Sequence, residues 1–201
     1  MLDIPIEESL FICLDTETTG LDPLNGGRIC EIAVLSSRGG RRAGSLCTLI
    51  NPQVVMTPQV INIHGITNEM VAKSPLFEHI APALIDIIND GVLVCHNADF
   101  DISFLKNEFE NIGLKMPRRV ILDTLKFARC HGNFSKNRLG VIARELGISN
   151  EGWHRAAADA IMTEKIFYYF LNKFKYIGAK TIGDLYSLQT KKITQGEFLY
   201  E

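Results

Sequence analysis

Long apolar runs, a cysteine framework and a strong net charge are all missing from this chain. No apolar stretch approaches the ~20 residues needed to span a bilayer, so a helical membrane protein is excluded. The five cysteines, Cys13, Cys30, Cys47, Cys95 and Cys130, form an odd set without any C-x-x-C spacing. Most fall in strand-like apolar runs and read as small core residues in a reducing compartment, not as a zinc site or a disulfide framework. A formal charge of −2 does not advertise a nucleic-acid protein. It does not exclude one either, because acids at a metal site are neutralised locally and a basic rim can exist beside them. The first eight residues, Met1 to Glu8, are acidic and lack the basic-then-apolar pattern of a secretion signal, so a cytoplasmic location is expected. Internal repeats, low-complexity segments and linkers are absent too.

What is present suits one soluble domain: 201 residues, 46% hydrophobic and 22% charged, enough to bury a substantial core. Apolar residues at both parities of Phe11 to Glu17 predict a central strand covered on both sides, stopped by Thr18-Thr19-Gly20. Strands over 28–37 and 43–50 are joined across Arg38 to Arg42, a hairpin signal. Residues 51–67 read as a loop with a short helical turn. A helix over 75–88 then precedes a short buried strand at 92–95, a helix beginning near Phe100, a strand at 120–122, a helix capped by Asp123-Thr124 and another over 139–146. A long helix starts at Ala156, and Thr181 caps a short one through Leu188. Strands and a hairpin followed by alternating strands and helices indicate an α/β mixed sheet with helices packed on it.

Within this pattern four acids stand where folding tolerates them least. Asp15 and Glu17 end the first strand, and period-2 geometry turns both to one face. Winding Phe100 to Ile112 at about 100° per residue places Asp101 among Phe104, Leu105 and Phe109, with Asp99 opposite. The same winding from Ala156 sets Asp159 inside the stripe of Ile166, Phe167, Phe170 and Phe174. Burying an ionised carboxylate costs several kcal/mol or more unless it is paired or coordinates a cation. Each acid alone has an ordinary reading, as a turn residue, a cap or an ion pair; four from three separate stretches are hard to dismiss together.

Oxygen-only ligands favour Mg²⁺ or Mn²⁺ over zinc, and two such ions can drive in-line phosphoryl displacement. Phosphodiester hydrolysis follows as the leading reaction, and it needs a base for the attacking water. His154 is the candidate: it lies five residues ahead of Asp159, follows a flexible-looking Ser149-Asn150-Glu151-Gly152, and imidazole titrates near neutrality. A loop histidine without a role is the alternative.

The ordered set Asp15-Thr-Glu17-Thr-Thr-Gly20, His96-Asn97-Ala-Asp-Phe100-Asp101 and His154-x-x-x-x-Asp159 resembles the DEDD superfamily of 3′-5′ exonucleases, histidine subtype. It is most similar to the epsilon-type proofreading exonucleases of bacterial DNA polymerase III. The resemblance covers roughly Ser9 to Lys175. It implies a ribonuclease H-like fold, a mixed five-stranded sheet flanked by helices. Residues 1–175 would form the exonuclease domain, and 176–201 an extension made of a short helix and a tail. It also implies that Asp15, Glu17, Asp101 and Asp159 hold two divalent cations, Mg²⁺ or Mn²⁺, and that His154 is the general base. Thr18 and Leu21 would contact the 3′ nucleotide, His64 its sugar or phosphate, and Phe100 would stack nearby. Capping by His64 and core packing by Phe100 are the structural alternatives. Asn97 reads as a brace for its turn, and Asp123 as a helix cap.

The expected activity is metal-dependent release of 5′-mononucleotides from single-stranded or frayed 3′ ends, with DNA favoured over RNA. An RNA-trimming enzyme shares these motifs, and the sequence does not separate ribose from deoxyribose, because a backbone group or shape can read the 2′-hydroxyl; a binding module with a vestigial site is a third reading. Gln195-Gly-Glu-Phe198-Leu-Tyr200 faintly resembles a sliding-clamp peptide, so a clamp or a DNA polymerase subunit is the candidate protein partner.

Overall fold

The structure, a computed structural model, describes residues 2–149 and 154–191. Five strands, β1 (Phe11–Thr18), β2 (Ile29–Arg38), β3 (Arg41–Leu49), β4 (Val92–Cys95) and β5 (Ile121–Asp123), form one sheet in the order β3-β2-β1-β4-β5. β2 pairs antiparallel with both β1 and β3, while β4 runs parallel to β1 and β5. Parallel neighbours need crossovers. The one between β4 and β5 is α4 (Ala98–Asn111); before β4 come α1 (Pro58–His64), α2 (Asn68–Val71) and α3 (Phe77–Asn89). After β5 come α5 (Thr124–His131), α6 (Leu139–Glu145), α7 (Ala156–Tyr176) and α8 (Ile182–Leu188).

The alternation of β1 sorts the helices into two layers. Ile12 and Leu14 pack with Leu84 of α3 and Phe104 of α4 in one core, whereas Phe11 and Cys13 pack with Phe167 and Phe170 of α7 in the other. A strand apolar at both parities is thus buried on both faces, and β1 sits at the centre of the sheet. Leu185 and Leu188 of α8 join the α7-side core. The N-terminal segment ties α8 down further, since Ile182 N–H donates to the Ile4 carbonyl at 3.0 Å and Gly183 N–H to that of Leu2 at 2.7 Å. This is the short helix expected after Thr181, whose hydroxyl accepts from Asp184 N–H. The Gln195 to Tyr200 segment lies outside the described residues.

Two local expectations are corrected. The hairpin turn is Gly39-Gly40 alone, with φ of 55° and 77°, so Arg41 and Arg42 belong to β3; two-residue hairpin turns need positive φ, which glycine supplies without strain. Cys47 is exposed and Cys130 half-buried. The sequence pattern places both in the core, but Cys47 sits on β3, an edge strand whose alternate positions face water, and Cys130 lies near the end of α5. Residues 51–67 hold α1 as the helical turn expected there, α2 follows at Asn68–Val71, and the region packs over a small cluster of Cys30, Met56, Ile66 and Val71.

Candidate active site

Asp15 and Glu17 lie on the α7 side of β1, half-buried, near its carboxyl end. The strand breaks register with β2 between Glu17 and Thr18. The chain then turns away through a closed loop: Thr19 N–H donates to the Arg28 carbonyl at 2.9 Å and Arg28 N–H to the Thr19 hydroxyl at 3.0 Å. Asp159, 7% exposed, comes from the first turn of α7. Carboxylate oxygens of Asp15, Glu17 and Asp159 all lie within 4.8 Å of one another.

Asp101, 4% exposed, approaches from the opposite layer in the first turn of α4. Its Oδ1 accepts from Thr16 N–H at 3.0 Å and from the Thr16 hydroxyl at 2.7 Å. It therefore flanks the trio through Thr16, and its charge is the strongest of the neighbouring charges acting on Asp15. The turn carrying it is built by Asp123, buried at the end of β5. Asp123 accepts from the N–H groups of Asn97 and Leu125 through Oδ1, at 3.0 and 2.8 Å, and from Ala98 N–H through Oδ2 at 3.2 Å. Asn97 stands at φ 72° there, a conformation that asparagine tolerates better than most residues. Asp123 is thus the cap expected for α5 and equally the anchor of α4.

The electrostatics follow from unpaired burial. Desolvation first, then the charges of Asp101, Asp159, Glu17 and Glu31, hold Asp15 well above the usual carboxylate range. Glu17 is pushed up to about 8 by burial and by Asp159, Glu31 and Asp101, with Arg155 opposing. Burial raises Asp101 to about 7 against the Thr16 hydrogen bonds, and raises Asp159 to about 7 although the His154 backbone N–H bonds its carboxylate. The Oδ1 of Asp159 is buried without a hydrogen-bond partner among the described residues. A carboxylate-only donor set with an orphaned acceptor fits a hard divalent cation.

Other acids buried among the described residues are satisfied, and the contrast is informative. Glu108 receives Arg28 in a two-pronged pair at 2.8 Å and the Ile29 N–H at 3.0 Å. Glu31, opposite Glu17 in the β1–β2 register, receives Arg155 Nη2 at 2.6 Å, Arg155 Nε at 3.1 Å and the Ala156 N–H at 2.9 Å. Glu31 therefore fastens the start of α7, directly after His154, to the central sheet. Sequence reasoning missed this pair, although Glu31 interrupts the apolar run 29–35 just as Asp15 interrupts its own; the signal was there, but not the partner.

His154 stands at φ 64°, half-buried, next to Arg155; residues 150–153 lie outside the described set. Leu21 is 88% exposed on the loop after β1. Thr18 is buried, its hydroxyl bonded to the Gly20 carbonyl at 2.7 Å. Phe100 is half-buried against Phe104, ring centroids 5.0 Å apart. His64 is 4% exposed, its Nδ1 accepting from Ile66 N–H at 3.0 Å. Burial lowers its pKa, and its ring also bonds the Thr18 backbone. His96 is held between the Thr124 hydroxyl and the Asn137 carbonyl, at 2.9 and 3.0 Å, as a brace between elements.

A family model described as Exonuclease, of the RNase T type, matches residues 12–167. Among named relatives, DNA polymerase III subunit epsilon of Aquifex aeolicus is 31% identical over 194 residues, 95% of this chain and 93% of that protein. DNA polymerase III PolC-type of Caldanaerobacter subterraneus subsp. tengcongensis is 32% identical over 182 residues, and the 3′-5′ exonuclease DinG of Bacillus subtilis 30% over 176. The chain spans only 13% of the length of that polymerase and 19% of DinG. Of solved structures, exonuclease X in complex with 5′ overhanging duplex DNA superposes with a TM-score of 0.71 at 24% identity, covering 89% of this chain and 99% of that one. E. coli exonuclease I with a dT13 oligonucleotide gives 0.72 at 19% identity, over 85% and 43%. The fold shared with them is the ribonuclease H-like one.

Proposed function

The chain belongs to the exonuclease family, and we propose that it is a 3′-5′ exonuclease acting on single-stranded or frayed 3′ ends of DNA. The observation that carries this reading is the trio of carboxylates within 4.8 Å, their pKa values raised by burial and, for Asp15 and Glu17, by neighbouring carboxylate charge. Asp15, Glu17 and Asp159, with Asp101 beside them, would hold two divalent cations, Mg²⁺ or Mn²⁺. When bound, such ions polarise the phosphate and the water and offset negative charge on both.

The chain's own residues do the rest. His154 takes the proton that the attacking water gives up. The water oxygen bonds to phosphorus, the P–O3′ bond breaks, the departing 3′ oxygen takes up a proton, and a 5′-mononucleotide leaves. Thr16 holds Asp101 through two hydrogen bonds, keeping that carboxylate oriented. Leu21 and Phe100 offer apolar surface to the terminal nucleotide without reading its sequence. Thr18 shapes the same wall, and His64 contributes by holding Thr18 and its own turn.

End-labelled DNA and RNA strands of matched sequence, digested with and without chelator, test the reading. DNA is expected to shorten stepwise from its 3′ end, RNA more slowly, and neither under chelation. Asp15→Ala should cost on the order of a thousandfold in rate, about 4 kcal/mol of barrier; retained activity in excess Mg²⁺ would overturn the mechanism. We further propose a cytoplasmic location and, from the likeness to a DNA polymerase III epsilon subunit, a DNA polymerase subunit as protein partner, with a sliding clamp as the partner that Gln195 to Tyr200 suggests; pull-down with either one tests the partner.

A further inference from the structure

A groove of about 580 Å³ runs along β5, the outermost strand on that side of the sheet, on the side of α4 that carries Asp99. Lys106, Arg118, Arg119 and Lys126 line it. Its acids are outnumbered. Asp123 is buried and satisfied by three backbone amides, and Asp99 is exposed and faces Lys126 at 3.8 Å. A neighbouring hollow of about 250 Å³ shares Lys126 and adds Lys191. Between the two hollows stands Tyr186, 51% exposed. A row of cations with an exposed aromatic ring is what a nucleic-acid strand requires: charge for its phosphates and a flat face for a base.

Position supports the same occupant. β1, β4 and β5 are parallel and adjacent, so their carboxyl ends share one edge of the sheet, and β1 and β5 lie about 10 Å apart. Ala98, Asp123 and Lys126 bring the upper end of the groove to that edge, beside the α4 turn that carries Asp101. An extended peptide is disfavoured, because the β5 edge is already capped. The Gln189 side chain accepts from Asp123 N–H at 2.7 Å and donates to the Ile121 carbonyl at 3.2 Å, which are the groups an added strand would need. The carboxylate cluster, for its part, repels a polyanion, and a chain of net charge −2 has no general attraction for one.

We infer that this groove is the track for the substrate strand on the 5′ side of the bond being cut, with Lys106, Arg118 and Lys126 on successive phosphates and Tyr186 under a base. This rests on the exonuclease reading. Two measurements on the full chain keep the two ideas separable. The first is binding of a fluorescent 20-nucleotide DNA strand in chelator, followed by anisotropy against salt, which needs no catalysis. Lys106→Glu with Arg118→Glu should weaken binding about tenfold or more and flatten the log–log salt slope by about 1.4, the value for two lost phosphate contacts. Arg41→Glu with Lys73→Glu, the same charge change placed elsewhere, should leave affinity within about twofold of wild type. The second is the ratio of kcat/KM for the 20-mer to that for a dinucleotide, which should collapse about tenfold in the groove variant only. Equal losses in both variants, or none in the groove variant, would overturn the track. Failure of every chain to cleave any strand would instead overturn the exonuclease reading and leave the binding result to judge the groove.

Discussion

Glu31 and Arg155 are joined by a two-pronged ion pair beneath the proposed base, and a third bond from Ala156 N–H ties in the start of α7. Rigid support of this kind sets where a catalytic side chain can sit. Glu31→Gln keeps the shape and removes the charge, so His154 should lose its fixed position while the carboxylates keep theirs. The expected loss in kcat is about 10- to 100-fold, typical of residues that orient a site from behind, with KM altered less than about twofold. A double-mutant cycle separates positioning from general weakening. In a His154→Ala background, Glu31→Gln should cost under about twofold more, whereas independent losses would multiply.

At the scale of elements, α4 and α5 both start from one carboxylate. Asp123 receives three N–H groups, one of them from Asn97 in its left-handed turn, so the helix that presents Asp101 is hung from the strand that precedes α5. Asp123→Ala would leave three inward donors without an acceptor. The predicted cost is about 3 kcal/mol, read as a lower urea midpoint at unchanged slope, with activity falling even where the protein remains folded. Most of these elements were legible beforehand. Asp123-Thr124 and Thr181 announced their helices by local chemistry, and the α4 winding separated Asp101 from Asp99 as the structure does, since a helical face is a property of consecutive residues. The second role of Asp123 was not legible, because its partner lies 26 residues earlier at the end of a different strand.

For the molecule as a whole, the carboxylate cluster makes stability depend on pH and on cations together. In the metal-free protein Glu17 is held up at about 8 and Asp101 and Asp159 at about 7, chiefly by burial. The folded chain therefore keeps protons that the unfolded chain releases, and the stability this supplies is present at low pH and lost as pH rises through 7 and 8. Burial pushes His64, His96 and His131 down, which acts in the opposite sense below about pH 6.5, the ordinary histidine value. The comparison belongs between pH 6.5 and 8.5. In chelator the melting temperature should fall there by about 3 °C or more, Asp159→Asn should overtake wild type at the upper end, and Mg²⁺ or Mn²⁺ should restore the wild type most at pH 8.5. A melting temperature flat across that range in chelator would refute the account.

The sequence by itself determined the order of the elements, the burial of Asp101 and Asp159, and the shared face of Asp15 and Glu17, because strand and helix periodicity act over a few residues. It could also tell that such acids need a partner. Only the tertiary structure decided the surroundings of each one: arginine for Glu31 and Glu108, backbone amides for Asp123, Thr16 for Asp101, and for Asp15, Glu17 and Asp159 a shared cluster of like charge. It likewise buried His64 within its own turn and drew basic residues from α4, the approach to β5 and α5 into one groove. Those choices are made by contacts between residues far apart in the chain, and a partner supplied by topology leaves no trace in the residues next to it.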